Sequence, residues 1–471
     1  MRNKLVYKYI GKVLITFSII LSFPILVSLI YNESQKPFII PAFISLIIGI
    51  LLNSIKTDKK HIYAKDGFSI VTVSWFIISI IGALPLMIGD NLSFFDAFFE
   101  SVSGFTTTGA TIYNDVEHLT KSLLFWRGLM NFIGGMGVLA FVMAIIPLSK
   151  NDKSMHVLKA EMPGPSIAKL VPSIKKTLFY LYFIYLLLTT LEFCLLLISG
   201  LKPFDSLVIS LSTAGTGGFS LLNTSLATYS TFTKWIVTIF MFLFGINFNI
   251  YFLILIKDVK NALKSEELKA YIFVFLFAIC FIIINTYQII GNLSQTITQA
   301  AFHVSSMMTS TGFNAGDINI YPTSCRILML FLMLVSACAG STCGGFKISR
   351  LIICLKSIKR DILKTFHANS VRIITFEGKK VDEDIVKSTN SYLFLYIGLI
   401  ILIMFLISFD GFTLDQTINA VFSTFANSGI CFDIPNFAGF SNFSKFVLSI
   451  GMLLGRLEIF PIIVWASSLR H

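Results

Sequence analysis

Four short stretches of this chain place small hydroxyl-bearing residues around a glycine, a composition that suits the binding of a bare cation by backbone oxygens. The first of them reads TTTGAT at residues 106–111. Glycine allows the backbone to enter regions that side chains disfavour, so consecutive carbonyl groups can turn toward one cavity. Carbonyl oxygens turned inward can replace the hydration shell of an ion. Hydroxyl oxygens without a ring of carboxylates favour a monovalent cation over calcium or magnesium.

The same design recurs three more times along the chain. The central glycines are Gly109, Gly217, Gly312 and Gly429, which lie 108, 95 and 117 residues apart (217−109, 312−217 and 429−312). Each follows an apolar run too short to cross a bilayer, and each lies between two long apolar segments. One such loop alone is usually only a turn. Four copies with equivalent flanks indicate an internal repeat of helix, re-entrant loop and helix.

The predicted ion-binding residues are the three positions that end at each glycine. They are Thr107, Thr108 and Gly109; Gly215, Thr216 and Gly217; Ser310, Thr311 and Gly312; and Asn427, Ser428 and Gly429. Irregular backbone at membrane depth is tolerated where it is buried in protein or lines a watery cavity, so four such loops on one side predict a single pore. The short helices before them would point their negative carbonyl ends at that cavity.

Composition identifies the environment of these loops. The chain has 471 residues, is 55% hydrophobic and 13% charged, and contains 47 phenylalanines, which predicts a polytopic membrane protein. Its net charge of +12 is concentrated in alternate loops, which follows membrane topology and does not indicate nucleic acid. By the positive-inside rule, the glycine-bearing stretches face outward and both termini are cytoplasmic. Seven scattered cysteines without a CxxC pair predict buried thiols.

The sequence therefore predicts an all-α polytopic membrane protein with ten full spans and four half-spans. Residues 1–60 are an N-terminal two-helix hairpin. Four pseudo-symmetric pore repeats follow at 61–160, 161–260, 261–370 and 371–471. The second span of each repeat is expected at 122–148, 232–256, 326–356 and 443–468. Of these, only the third is expected to be interrupted.

That interruption comes from glycine and hydroxyl residues in the middle of an apolar span. An unwound segment there is interpreted as a gate below the filter; the alternative is a kink used for close packing. A phosphate-binding loop does not fit, because the GxxxxGK[ST] pattern is absent. The predicted gate residues are Gly340, Ser341, Thr342, Gly344, Gly345 and Lys347, together with Arg456 of the last repeat.

Several charged residues in apolar runs need an explanation. Arg456 either faces the pore, as a barrier to cations, or pairs with loop carbonyls or Glu458; the direct pair is the weaker option because residues i and i+2 do not share a helix face. Arg127, next to Trp126, is interpreted as an interfacial anchor. The acidic residues that open half-helices, Asp96, Asp205 and Asp415, are predicted helix caps. Glu192 is a buried hydrogen-bonded group or a proton site, and His303 lacks metal-ligand neighbours in sequence.

Six segments together resemble the bacterial TrkH/TrkG family of potassium-uptake membrane subunits. They are TTTGAT, WRGLMNFIGGMG at 126–137, AEMPGP at 160–165, TAGTGGFS at 213–220, AGSTCGGFK at 339–347 and MLLGRLEIFP at 452–461. The initial hairpin favours TrkH over the shorter KtrB relatives. The resemblance implies four pseudo-repeats around one pore, with Gly109, Gly217, Gly312 and Gly429 as filter glycines. It also implies an intramembrane loop at 340–345 and a pore arginine at Arg456.

The resemblance further implies a homodimer in the bacterial inner membrane, in contact with lipid, and a cytosolic TrkA-like ring that senses nucleotides. Potassium would be the substrate, and no cofactor is expected in this chain. Passive flux and symport with protons or sodium both fit the sequence. The less uniform loops of repeats two and four imply that rubidium and sodium also pass. The alternatives are the potassium-translocating subunit of an ATP-driven pump and an alternating-access symporter, for which inverted repeats are expected. An enzyme is not expected.

Overall fold

A computed structural model describes residues 3–57, 64–137, 174–366 and 372–468 of the chain. These ranges are mostly helical with almost no strand, which confirms the predicted fold class. Their two short strands, Thr375–Phe376 and Lys379–Lys380, form one antiparallel hairpin. The AEMPGP segment at 160–165 lies outside the described residues.

An N-terminal hairpin precedes the repeats, as predicted. It consists of Asn3–Ile20, Ser22–Ile30 and Lys36–Asn53. Glycine allows its two arms to approach closely, because a Cβ at Gly11 would overlap the backbone around Gly49 and Asn53. The turn also contacts repeat one: the carboxylate of Glu33 accepts hydrogen bonds from the Lys121 and Ser122 backbone amides at 2.7 and 2.9 Å. The hairpin thereby caps a helix that borders the candidate site.

Each repeat contains a first helix, a half-helix and an inner helix. In repeats one and two these are Ala64–Asp90, Phe94–Phe105 and Lys121–Gly135, then Ile174–Ile198, Pro203–Gly215 and Thr231–Phe244. In repeats three and four they are Glu266–Ile290, Leu293–Met308 and Thr323–Val335, then Glu383–Ile407, Leu414–Phe425 and Asn442–Leu457. The half-helices have 12, 13, 16 and 12 residues. At about 18–24 Å they fall short of the roughly 30 Å hydrocarbon core, as predicted for half-spans.

The inner helices are shorter than the sequence predicts. They end after 15, 14, 13 and 16 residues, which at about 20–24 Å is short of the roughly 30 Å hydrocarbon core. Of the predicted span at 122–148, residues 138–148 lie outside the described residues. The chain then turns by 90° into Phe248–Leu255 in repeat two and by 109° into the helix that starts at Ile459 in repeat four. The predicted continuous spans at 232–256 and 443–468 are therefore wrong. In repeat two Asn247 starts the new helix by accepting the Asn249 amide at 3.0 Å, and in repeat four Glu458 takes a positive φ of 55°.

In the described part of the chain, six helices are long and apolar enough to cross a membrane, or eight if each bent pair is one span. The inner helix of repeat three is the interrupted one that the sequence predicts. It stops at Val335, and a helix resumes at Ile348–Phe366.

The loops around the half-helices join into a closed ring on one face of the protein, here named the loop face. Each loop bonds to the next in the order one, two, three, four, one. The contacts are Val116 amide to Asn223 side chain (2.8 Å), Leu226 amide to Asn314 carbonyl (2.8 Å), Asp433 amide to Asn319 side chain (3.1 Å) and Phe437 amide to Thr111 carbonyl (2.8 Å). The side-chain NH2 group of Asn223 also donates to the Asp115 carboxylate, and this hydrogen bond lowers the pKa of the exposed Asp115 carboxyl. The four half-helices therefore enter from the same side.

One prediction about local roles is wrong, and another holds only in part. The half-helix caps are Ser93, Lys202, Asn292 and Thr413, and not Asp96, Asp205 or Asp415. These aspartates lie in the first turn, where a negative charge is favourable toward the positive helix end. The predicted burial of the cysteines holds for five of the seven, whereas Cys194 and Cys280 are exposed on long apolar helices.

Candidate functional site

The four half-helices end in the same backbone conformation. A residue in the left-handed region closes each helix: Thr107, Thr216, Ser310 and Asn427, with φ between 51° and 56°. The next residue donates its amide to the carbonyl five positions back, at 2.8–2.9 Å in all four repeats. A glycine with positive φ follows. Such a closing bond ends a helix and satisfies a carbonyl of its last turn, and here it turns the chain into an extended segment, named the filter segment.

This conformation corrects the predicted register in repeat two. The glycines with positive φ are Gly109, Gly218, Gly312 and Gly429, so the equivalent of the others is Gly218 and not Gly217. The filter segment of repeat two is therefore Thr216, Gly217 and Gly218. The predicted residue Gly215 is the last residue of the half-helix, where a Cβ would overlap the Asn131 carbonyl oxygen.

The filter glycines close a second ring beneath the ring of loops. A Cβ at Gly109 would overlap the Gly217 carbonyl oxygen, and one at Gly218 would overlap that of Thr311. One at Gly312 would overlap the Ser428 carbonyl oxygen, and one at Gly429 that of Thr108. Each segment thus lies against the next, in the same cyclic order as the loops. Only a residue without a side chain fits where two backbones approach this closely.

Some residues of this ring other than glycine have a strained backbone conformation. Thr107 and Thr216 have φ of 55° and 54°, which is unusual for a β-branched residue. Both side chains are fully buried. Strain of this kind costs on the order of 1–3 kcal/mol per residue, and it persists where the surrounding structure imposes it. The ring is thus held in shape by its surroundings.

A loop at residues 336–347 lies beneath the filter segments, between the two helices of the interrupted inner span. Its Gly344 amide donates to the Ser310 hydroxyl at 3.0 Å, so it contacts the filter segment of repeat three directly. The Cys338 amide donates to Gly245 at 3.1 Å, and the Phe248 amide donates to Gly340 at 3.0 Å. The loop is thereby joined to the bend of repeat two.

Further bonds fix the remaining residues of this loop. The Ala339 amide donates to Glu267 at 2.7 Å, and the Ser341 hydroxyl donates to the Cys338 carbonyl at 2.6 Å. Lys347 is 9% exposed, and its ammonium group donates to the Cys343 carbonyl. Gly340, Gly345 and Lys347 have positive φ, which accounts for the broken helix.

Arg456 joins this loop to the rest of the ring. Its guanidinium donates to the Thr342 carbonyl of repeat three at 2.6 Å, and to the Gly134 and Gly135 carbonyls of repeat one at 2.6 Å each. Thr342 in turn donates its hydroxyl to the Phe244 carbonyl of repeat two at 3.4 Å. Together these two residues connect all four repeats beneath the filter segments.

Glu458 takes no part in that contact with Arg456, as the helical spacing predicts. Its carboxylate pairs with Arg350, which lies just after the loop, and Arg350 stacks on the Tyr392 ring at 4.2 Å. The loop is therefore bordered by two arginines: Arg350 is paired with a carboxylate, and Arg456 is bound to backbone carbonyls.

Comparison with known proteins decides the family. The family model for TrkH, described as a cation transport protein, matches residues 34–470. The chain belongs to the TrkH family of cation transport proteins. This membership confirms that it is a membrane transport protein and not an enzyme.

Individual TrkH-family relatives match almost the whole chain. The Trk system potassium uptake protein TrkH of Salmonella typhimurium is 32% identical over 475 residues, covering 98% of both chains. TrkG of Escherichia coli K12 is 31% identical over 460 residues, covering 94% of this chain and 93% of its own. The crystal structure of the potassium transporter TrkH from Vibrio parahaemolyticus superimposes with a TM-score of 0.89 at 28% identity, covering 98% of both chains.

The interpretation of Arg127 as an interfacial anchor is wrong for this TrkH-family chain. Arg127 is 2% exposed and Trp126 is fully buried. The Arg127 side chain donates to the Glu100 carboxylate at 2.9 Å, behind the filter segment of repeat one. Sequence reasoning missed Glu100 altogether. The available signal was an acidic and a basic residue in apolar stretches of one repeat, 27 positions apart (127−100).

Two other residues named from the sequence are buried close to half-helices. His303 is fully buried and hydrogen-bonds to Tyr321 through Nδ1 at 2.7 Å. Glu192, on the first helix of repeat two, is also fully buried. Neither carboxylate oxygen of Glu192 has a hydrogen bond of ordinary geometry within the described ranges, but the Thr213 hydroxyl of the half-helix lies close to this carboxylate. A hydrogen-bonded carboxyl and a proton site both stay predictions.

Proposed function

We propose that this chain is the membrane subunit of a Trk potassium-uptake system and conducts potassium through the ring of filter segments. The observation that carries the proposal is the ring of glycines, each lying against a carbonyl of the next repeat. The names of the relatives, potassium uptake proteins of the Trk system, support potassium as the ion. Backbone carbonyls in such a ring replace water around the ion as it enters.

The proposed ion-binding positions are the three residues of each filter segment. They are Thr107, Thr108 and Gly109; Thr216, Gly217 and Gly218; Ser310, Thr311 and Gly312; and Asn427, Ser428 and Gly429. Four half-helices end at this ring with their carbonyl ends inward, which lowers the energy of a cation there. The ring carries no carboxylate, so the ion is held weakly enough to leave again, as conduction requires.

The loop at 336–347 is proposed to be the gate. Its Gly344 contacts the filter at Ser310, and its Thr342 carbonyl is held by Arg456. A cation that leaves the filter therefore meets a backbone loop and a guanidinium in succession. Opening requires the bonds of Arg456 to Thr342, Gly134 and Gly135 to exchange, so this arginine sets the barrier to flux.

The remaining features are proposed from the family. The loop face is external, both termini are cytoplasmic, and the protein lies in the bacterial inner membrane in contact with lipid. Two copies form a homodimer, and a cytosolic TrkA-like ring that binds nucleotide controls the gate. The positive-inside distribution of lysine and arginine supports this orientation.

A flux experiment on Gly312→Ser tests the proposal. The full chain is purified, reconstituted into vesicles, and assayed for uptake of rubidium, sodium and lithium, with and without a proton gradient. The wild-type chain is expected to admit rubidium in preference to sodium. Gly312 has a φ of 88°, and a Cβ there would overlap the Ser428 carbonyl oxygen. The preference of the variant for rubidium over sodium is therefore expected to be about tenfold lower.

Gly291→Ser is the matched control. Gly291 also has a positive φ, of 72°, and lies in repeat three, but a Cβ there meets no atom within 4 Å. It carries the backbone strain without the contact in the ring, so its ion preference should equal that of the wild type. Equal preference in Gly312→Ser and wild type would remove the ring of glycines as the filter. Absence of rubidium uptake by the folded wild-type chain would contradict the proposed conduction itself.

A further inference from the structure

Glu100 and His303 occupy equivalent places behind two filter segments. Each lies nine residues before its filter glycine (109−100 and 312−303), and each is fully buried. Each accepts the backbone amide of the third residue after that glycine: Ile112 donates to Glu100 Oε2 at 3.0 Å, and Ala315 donates to His303 Nε2 at 3.2 Å. A carboxylate and an imidazole thus accept equivalent hydrogen bonds at the point where the chain leaves the filter segment.

Each of the two residues is itself held by a second side chain. Arg127 Nε donates to Glu100 Oε1 at 2.9 Å. For His303, acceptance of the Ala315 amide by Nε2 implies the neutral tautomer with its proton on Nδ1. That proton points to the Tyr321 oxygen, 2.7 Å away. The two acceptors are therefore fixed in orientation.

Arg127 also connects repeat one to repeat two. Its guanidinium donates to the Thr111 hydroxyl and to the Ser220 carbonyl, both at 3.3 Å, and stacks on the Phe219 ring at 4.1 Å. Phe219 directly follows the filter glycine Gly218. One buried ion pair thus holds the exits of two neighbouring filter segments.

The other two repeats carry no such group at the same offset. Nine residues before Gly218 and Gly429 lie Ile209 and Ala420 (218−9 and 429−9), whose side chains have no polar atom. The filter segments supported by Glu100 and His303 belong to repeats one and three, which lie opposite each other in the ring.

We propose that Glu100 with Arg127, and His303 with Tyr321, are positioning residues that set the ion preference of the filter through the Ile112 and Ala315 amides. The proposal rests on the proposed function. A buried charge is costly in the membrane and is retained where it has a partner and a role. Here the partners lead directly to the backbone that follows the two filter glycines.

Rubidium preference over sodium in vesicles tests the role, with melting temperature measured in parallel. Glu100→Gln keeps an acceptor for the Ile112 amide but loses the ion pair, and Arg127→Lys keeps the charge but loses the planar fork. Both are expected to lower the preference about tenfold, the scale of one charge-assisted bond. His303→Leu removes the acceptor and should lower the preference similarly. His303→Gln restores an acceptor near the Nε2 position and should recover most of it.

Asp96→Asn is the matched control for an ion pair on the same half-helix. Asp96 pairs with Lys445 at 2.6 Å, yet this pair contacts neither Ile112 nor Thr111. The Asp96→Asn variant should therefore keep the ion preference of the wild type, even if its melting temperature is lower. Equal preference in wild type, Glu100→Gln and His303→Leu, while Gly312→Ser still loses it, would overturn the positioning role alone. Loss of preference in Asp96→Asn to the same extent would reduce the effect to general destabilisation.

Discussion

The filter segments of repeats one and three share side-chain bonds that repeats two and four lack. In the first pair, Thr106 bonds to Thr108 at 2.8 Å and Thr309 bonds to Thr311 at 2.7 Å. The equivalent positions are Gly215 and Gly217 in repeat two, and Ala426 and Ser428 in repeat four. The backbone of the ring is fourfold, whereas this pairing of threonine hydroxyls is twofold.

The serines before the filter show the same division. Each repeat has a serine six residues before its filter glycine: Ser103, Ser212, Ser306 and Ser423. Ser103 donates to the Ala110 carbonyl at 2.6 Å, and Ser306 donates to the Phe313 carbonyl at 2.7 Å. Among the described residues, no carbonyl accepts a hydrogen bond from the Ser423 hydroxyl, whose polar neighbour is the Cys431 thiol. Glycine and helix geometry thus impose the fourfold symmetry of the backbone, and side chains then make the four filter segments different from one another.

The largest effect is expected where the fourfold backbone itself is broken. Gly218 has a φ of 67°, and the Cβ added by Gly218→Ala would overlap the Thr311 carbonyl oxygen. The backbone strain and the broken contact together should lower the ion preference by about tenfold or more. For Gly217→Ala the three nearest atoms to the added Cβ all belong to the Asn131 side chain, and φ is not positive, so the effect should be smaller. Rubidium and sodium uptake by both variants measures the difference. The reverse order would restore Gly217 as the ring glycine of repeat two.

A second effect is expected where the fourfold pattern of the inner helices already fails. Fifteen residues after each inner-helix cap lie Gly135, Gly245, Ala337 and Arg456 (135−120, 245−230, 337−322 and 456−441). Arg456→Ala gives repeat four the residue of repeat three and removes three bonds to backbone carbonyls. Rubidium flux should rise about tenfold, roughly the loss of one charge-assisted bond from the barrier. Unchanged flux would make Arg456 a purely structural residue.

The smallest effect should distinguish the supported segments from the others. Ser103→Ala removes the bond to the Ala110 carbonyl and should cost about 1 kcal/mol, seen as a lower melting temperature and a few-fold loss of ion preference. Ser423→Ala removes a hydroxyl that donates to no filter carbonyl, so it should change neither quantity. Equal losses in both variants would mean that the twofold support has no consequence for the filter.

Much of this arrangement is predictable from the chain because its signals are local and repeated. The TTTGAT design identifies four half-helices, and the glycines at 340–345 identify the interrupted span. The register of repeat two is not predictable in this way, since AGTGG offers three glycines and the left-handed residue Thr216 selects among them only in the folded chain. The bend after Leu457 is likewise hidden, because the residue with positive φ at that bend is Glu458 and not a glycine.

The partners of buried charges are the other part that sequence reasoning does not reach. The neighbouring Trp126 suggests an interfacial position for Arg127, but the carboxylate partner of Arg127 lies on a different helix of the repeat. Glu458 pairs with Arg350, which is 108 positions away (458−350). Helical spacing excludes a neighbour as partner, yet it cannot choose one from a distant repeat.

The bond between the Phe437 amide and the Thr111 carbonyl has a consequence for biosynthesis. It joins residues 326 positions apart (437−111), one in the first repeat and one in the fourth. A growing polypeptide that has delivered three repeats still has one open side, through which lipid and water reach the cavity. With the proposed function, a closed path for the ion thus forms only once the fourth repeat has been made and has joined the first.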